Sequence, residues 1–176
     1  MNTPGLGRII YTEEQIQTRL REIAGEINRD YAGKKLVIVS VLKGSIYFLA
    51  DLTRQLTMPL SIDFLSMAAS PPASNHGSGI RFTRNLDINL KDRHVLLVED
   101  VIGTGLTLGY VIQHLADAGP ASFKICTLLD NPAGRILTIK IDYRCFTMPD
   151  IFLVGYGLDY KEEYRNLPYI AEYHRH

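Results

Sequence analysis

The sequence predicts an α/β fold with a central, mainly parallel sheet flanked by helices. Three observations carry that prediction. Apolar runs without alternation, such as Leu36–Val41 (LVIVSV) and His94–Asp100 (HVLLVED), suit strands buried on both faces. Segments with helical spacing lie between such runs. Strands alternating with helices imply right-handed parallel crossovers, and ligands then bind beyond the carboxyl ends of the strands.

The first helix is expected over about 13–31. Thr12 and Gln15 have capping-box spacing, and Ile16, Leu20, Ile23, Ala24, Ile27 and Tyr31 recur on one face before Gly33 ends it. After LVIVSV, Gly44 opens a second helix, SIYFLADLTRQL (45–56), and Leu60–Leu65 reads as the next strand. Residues from Ser66 to about 80 are small, polar and turn-forming, so a flexible loop is expected there. HVLLVED is the strongest strand. A Gly-Thr-Gly turn follows it, then a helix with Leu108, Val111, Ile112 and Leu115 on one face, stopped by Gly119-Pro120. Ser122–Leu129 and Ile151–Tyr156 read as further strands. No repeat or long linker interrupts 1–176, which reads as a single domain.

Bulk properties narrow the function. Nineteen basic residues balance nineteen acidic ones, so no global field draws the chain to nucleic acid or a membrane. No apolar run approaches the ~20 residues of a membrane helix, and the start lacks the pattern of a signal peptide. Cys126 and Cys145 lack metal-ligand spacing and read as buried reduced thiols. A cytoplasmic protein is expected.

The chemistry concentrates in Val95–Thr107, where two carboxylates end a buried strand and a turn with two glycines and two threonines opens a helix. Glu99 and Asp100 suit a ribose diol, or Mg²⁺ through water. Gly103 and Gly105 allow a tight turn whose amides face an anion. Thr104 and Thr107 add hydroxyls, and the helix N-terminus favours a phosphate. The bland reading is that the two carboxylates merely cap the helix. A response-regulator receiver is disfavoured, because its acidic pair lies near the start and only 76 residues follow Asp100. No Walker A loop occurs.

With those residues in view, the whole chain resembles the hypoxanthine-guanine phosphoribosyltransferase family. VLLVEDVIGTGLTL resembles that family's diphosphoribose-binding motif, VLKGS (Val41–Ser45) its pyrophosphate loop, and IFLVGYGLDYKEEYRNLPYI (Ile151–Ile170) its purine-binding segment. The resemblance implies a type I phosphoribosyltransferase fold with a small hood built from the N- and C-terminal segments. It implies transfer of phosphoribosyl from 5-phosphoribosyl 1-diphosphate to hypoxanthine or guanine, giving IMP or GMP plus pyrophosphate, with Mg²⁺. It also implies a homodimer or homotetramer.

By that resemblance Glu99 and Asp100 hold the ribose hydroxyls and the metal's water shell. Gly103, Thr104, Gly105, Leu106 and Thr107 surround the 5′-phosphate. Leu42, Lys43 and Gly44 hold pyrophosphate, often through a non-proline cis peptide. Arg165 neutralises the departing pyrophosphate, so the catalytic set is Glu99, Asp100 and Arg165. Phe152 stacks on the purine, the Leu153 backbone reads the base edge, and Asp159 binds a second Mg²⁺. The bland readings are a solvated Lys43, a core Phe152 and a surface ion pair between Asp159 and Arg165.

The chain departs from the family pattern in three places. Gly103 stands where an Asp usually takes the purine N7 proton, and loss of a general base typically lowers rate ~10²–10⁴-fold. Asn131, in LLDNPAG, stands where a Lys usually reads the purine 6-oxo group; an amide could instead accept from a 6-amino group. Ser70-Pro71-Pro72 stands near the Ser-Tyr pair that usually closes over pyrophosphate. Asp130 is a candidate substitute proton acceptor. The alternative reading is therefore a weakened or inactive paralogue that still binds nucleotide or phosphoribosyl diphosphate. A regulator that binds RNA or a protein on this scaffold is a third.

Overall fold

The computed structural model describes residues 5–69 and 80–175. Its larger sheet has six strands: β2 (Leu36–Val41), β3 (Leu60–Ala69), β4 (Ile80–Arg84), β5 (His94–Ile102), β6 (Ser122–Asp130) and β7 (Tyr143–Thr147). Their order is β4-β3-β2-β5-β6-β7, and every neighbouring pair is parallel except β3 with β4. Helices α2 (Ile46–Arg54) and α3 (Leu106–Asp117) supply crossovers between parallel strands, and α1 (Glu13–Asp30), which leads into β2, flanks the sheet with them. A second, antiparallel sheet joins the chain ends in the order β1-β9-β8, from β1 (Leu6–Tyr11), β8 (Leu153–Val154) and β9 (Ile170–Tyr173). This is the hood that the resemblance implies.

The unbroken apolar strands bury both faces, as their pattern predicts. Leu36, Ile38, Leu96 and Val98 pack with Ile16, Leu20, Ile23, Phe48 and Leu52 from α1 and α2. Their sequence neighbours Val37, Val39, Val95 and Leu97 pack on the opposite side with Leu108, Val111 and Leu115 of α3. Each fully buried side chain of this kind contributes about 1.5–3 kcal/mol relative to exposure. α1 starts with the expected capping box, Thr12 Oγ1 accepting from Gln15 N at 3.2 Å and Gln15 Oε1 from Thr12 N at 2.8 Å.

Three expectations are corrected. Residues 66–69 continue β3 instead of starting a loop, because pairing with β4 outweighs their weak strand propensity. Ile151–Tyr156 contributes only the two-residue β8, and to the hood, not the main sheet; its Gly155 turns away at φ +99°. Ile112 is only partly buried, while Leu108, Val111 and Leu115 are buried as expected. Among the described residues, no helix is long and apolar enough to cross a membrane. Both cysteines are free and buried.

Candidate active site

The site lies beyond the carboxyl ends of β2 and β5. Strand β5 carries Glu99 and Asp100 to this edge, where both line a cavity of about 210 Å³ with Val41, Met67, Val101, Thr107, Leu108 and Val111. Glu99 is 9% exposed. Burial, then the adjacent Asp100, drives its carboxyl well above the usual range, with no cation opposing the rise. Burial also raises Asp100, against hydrogen bonds from the Val101 and Asp100 amides and the field of Arg165. Two desolvated carboxylates in one cleft are a poor arrangement by themselves and a good one around a divalent cation or a polyol. Among the described residues, no group of three or more His, Cys, Asp or Glu converges on a metal position. A cation here would thus complete its shell with ligand or water oxygens.

Three segments meet at Gly44. The Leu42–Lys43 peptide is cis, as the resemblance implies, and Gly44 follows it. A Cβ on Gly44 would collide with the Asp100 carboxylate. Gly157, at φ +102°, lies against Gly44 so closely that its own Cβ would strike the Gly44 carbonyl oxygen. Glycine is required at both positions by contact, and the C-terminal segment is thereby seated on the loop of residues 42–44. Beneath that loop, buried Ser40 Oγ donates to Val98 O at 2.7 Å and lies 2.6 Å from Ser45 Oγ. These serines were not foreseen as site supports.

The charged side chains around the loop are mutually engaged. Arg165 donates to Gly157 O at 2.8 Å and pairs with Asp159 at 2.8 Å and Glu162 at 3.3 Å. Its Nε is buried with no partner among the described residues. Lys43 pairs with Glu162 at 2.7 Å. Asp159 also accepts from Glu162 N at 2.9 Å. The Asp159–Arg165 pair of the bland reading therefore exists, but in the cleft, where both side chains act on Asp100. Glu162 was missed by sequence reasoning; its spacing of three from Arg165 was the available signal.

The phosphate turn answers the motif in part. Gly105 has φ +84°, caps α3 without a side-chain hydrogen bond and would press a Cβ into Ile139. Gly103 is not required by conformation: its φ is not in the left-handed region and, its chain neighbours aside, a Cβ there meets nothing within 4 Å among the described residues. The first amide of α3, Leu106 N, has only a 3.4 Å contact with Thr104 Oγ1. Thr107 lines the acidic cavity.

At the carboxyl end of β6, Asp130 and Asn131 are both engaged within the fold. Asp130 is buried with both carboxylate oxygens held, one by Arg135 and one by Arg144, the latter at 2.8 Å. A carboxylate committed to two guanidiniums is no substitute base, so that reading is withdrawn. Asn131 folds onto its own loop: Oδ1 accepts from Gly134 N at 3.1 Å, which leaves Nδ2 as its free polar group. Leu153 lies in β8, buried and paired with Glu172. Phe152 sits edge-on to Tyr160 and Tyr173, and the Arg175 guanidinium lies 3.6 Å over its ring. Nothing in the sequence signalled Arg175. Ser70-Pro71-Pro72 lies outside the described residues.

Comparison with known proteins places this cleft in context. Residues 8–161 match the phosphoribosyl transferase domain family. The hypoxanthine-guanine phosphoribosyltransferase of Streptococcus pneumoniae is 40% identical over 164 residues, which is 93% of this chain and 91% of that protein. A hypoxanthine phosphoribosyltransferase from Staphylococcus aureus superposes with a TM-score of 0.91 at 37% identity, covering 99% of this chain and 96% of that one. A hypoxanthine-guanine phosphoribosyltransferase from Bacillus anthracis does so with a TM-score of 0.88 at 39% identity, covering 96% and 99%.

Proposed function

Because the chain belongs to the phosphoribosyltransferase family, on its hypoxanthine-guanine branch, we propose that it transfers phosphoribosyl from 5-phosphoribosyl 1-diphosphate to a 6-oxopurine, slowly. The observation that carries this reading is the meeting of Asp100, Gly44 and Gly157. It puts a carboxylate pair, the cis peptide loop and the Arg165 segment around one cleft beside the N-terminus of α3.

The roles follow from charge and geometry. Glu99 and Asp100 accept from the ribose hydroxyls, and the α3 amides with Thr104 and Thr107 receive the 5′-phosphate. Amides of the 42–44 loop, Lys43 and Arg165 take the pyrophosphate, which must draw both cations away from Glu162. Glu99 and Asp100 would hold one Mg²⁺ through its water shell and Asp159 a second, which when bound would neutralise charge on the leaving diphosphate. The two desolvated carboxylates fit that ion. Phe152 offers the base a ring, one face of which lies under Arg175 here, and Leu153 offers its backbone.

Base preference follows from Asn131. A backbone N–H fixes its Oδ1 inward, so Nδ2 donates, and a donor suits the 6-oxo group of hypoxanthine or guanine over the 6-amino group of adenine. One observation favours the second reading, a binder without turnover: among the described residues, chain neighbours aside, no side chain lies within 4 Å of a Cβ placed at Gly103 to stand in directly for the missing carboxylate. A panel of hypoxanthine, guanine, xanthine and adenine, assayed with diphosphoribose and Mg²⁺, separates the readings. Slow nucleotide formation from hypoxanthine or guanine supports transfer. Binding without product supports the second reading, and adenine as the best substrate contradicts the account of Asn131.

A further inference from the structure

We infer that Arg135 is a positioning residue that shapes the phosphate turn from behind, by holding backbone carbonyls and not by touching substrate; this rests on the phosphoribosyl-binding reading above. Arg135 follows a short 3₁₀ turn, Pro132–Gly134, in the connection from β6 to β7. Its Nε donates to Gly103 O at 2.9 Å, and a terminal nitrogen donates to Ile102 O at 3.1 Å and to Asp130. The backbone beside it continues the pattern. Asn131 N donates to Ile102 O at 3.0 Å, and Ile136 N and Leu137 N donate to Thr104 O at 2.9 and 3.1 Å.

Three consecutive carbonyls, of residues 102, 103 and 104, are thus drawn into one connection. Across a trans peptide the C=O and the following N–H point in opposite directions. The N–H groups of Gly103, Thr104 and Gly105 are therefore turned away from that connection, and none donates to a backbone carbonyl among the described residues. A row of free amides leading into a helix N-terminus is an anion cradle. Among the described residues, Arg135 contributes the only side chain that holds these carbonyls back.

Its surroundings suit this task. The Arg135 side chain is 13% exposed and Asp130 6% exposed, so the carboxylate balances the buried guanidinium charge. Arg144 closes the other side of Asp130. The planar fork matters: a lysine could hold one carbonyl or the carboxylate, but not both carbonyls and the carboxylate together. With glycine at 103 the turn is braced by its own side chains only through the long Thr104 Oγ1 contact to Leu106 N among the described residues, which puts more of its order on Arg135.

The test compares wild type, Arg135→Ala and Arg135→Lys as intact proteins with Mg²⁺. Calorimetry measures binding of phosphoribosyl diphosphate and, separately, of hypoxanthine to the diphosphoribose-loaded protein; amide hydrogen exchange follows residues 131, 136 and 137, whose amides donate to the turn's carbonyls. Loss of both carbonyl contacts in Arg135→Ala, and of at least one in Arg135→Lys, is expected to weaken phosphoribosyl diphosphate binding roughly tenfold or more and roughly severalfold respectively, with faster exchange at the amides of residues 131, 136 and 137, which donate to the turn. Hypoxanthine affinity at saturating diphosphoribose stays at the wild-type value. Arg135→Lys keeps a cation beside Asp130, so it supplies the answer if Arg135→Ala does not fold. Unchanged phosphoribosyl diphosphate affinity in the folded lysine variant overturns the inference, as does an equal loss for both ligands. Absence of phosphoribosyl diphosphate binding by wild type itself overturns the reading of the site, and this inference with it.

Discussion

Replacing Gly103 by aspartate tests whether a missing base limits this protein. The structure says the residue fits. Its chain neighbours aside, a Cβ at 103 meets nothing within 4 Å among the described residues, and the backbone there is not in the left-handed region, so neither collision nor strain opposes the change. Removing a glycine from the unfolded chain contributes about 0.4–1 kcal/mol of stability where the native backbone is compatible. Stability should therefore change little. A positioned general base contributes ~10²–10⁴-fold in rate, which is about 2.7–5.5 kcal/mol of barrier. The low end, ~10²-fold in kcat, is expected here, because the proposed base reader, Asn131, carries no charge. The assay is steady-state nucleotide formation from hypoxanthine, run across pH. Gain of a base should also add a rising limb to the pH profile of kcat/KM. A folded Gly103→Asp variant with unchanged kcat and an unchanged profile would refute the reasoning, because the vacancy at 103 would then limit nothing.

Further outcomes follow from other parts of the structure. Asn131→Lys should lower the KM for hypoxanthine roughly tenfold, since a charged donor replaces a neutral one; a higher KM in steady-state assays would contradict the placement of residue 131 at the base. Thr12→Ala should lose about 1 kcal/mol of unfolding free energy through the capping box, read by urea denaturation. Burial alone would raise the Asp63 carboxyl, but the amides of Ile88, Phe64 and Asp87, with Arg84, hold it below its ordinary value. Its contribution is then present above the unfolded pKa and lost as pH falls through the folded one. Asp63→Asn should destabilise by about 1.5–3 kcal/mol at pH 7 in urea, with the difference narrowing below about pH 4. Burial pushes the Cys145 thiol up to about 12 and Cys126 well above its ordinary value, so neither should react with a thiol reagent at neutral pH until the protein unfolds.

The parts of the fold legible in the sequence are those with one dominant local signal. The unbroken runs at Leu36–Val41 and His94–Asp100 are strands because both faces are covered, and the period of Ile16, Leu20, Ile23 and Ile27 is that of one buried helix face. The hood strands are short and pair only with distant chain, Leu6 with Tyr173 and Leu153 with Glu172, so no local pattern marks them. Residues 66–69 became strand for the same reason. At the site, the acidic pair and the Gly105 turn were readable because each depends on its own residue type. The state of Asp130 was not: its arginines lie 5 and 14 positions away and reach it only through the fold. Nor was the freedom at Gly103, since a glycine looks alike in sequence whether required by φ or merely tolerated.

The direct trial of the whole account is calorimetric titration of phosphoribosyl diphosphate into wild-type protein and Thr107→Ala, each with and without Mg²⁺. One ligand should bind per chain, the ion should strengthen that binding, and loss of the Thr107 hydroxyl should weaken it. Heats absent from wild type, or indifferent to both the ion and residue 107, would mean that the acidic strand end and the turn beyond it do not form a sugar-phosphate site.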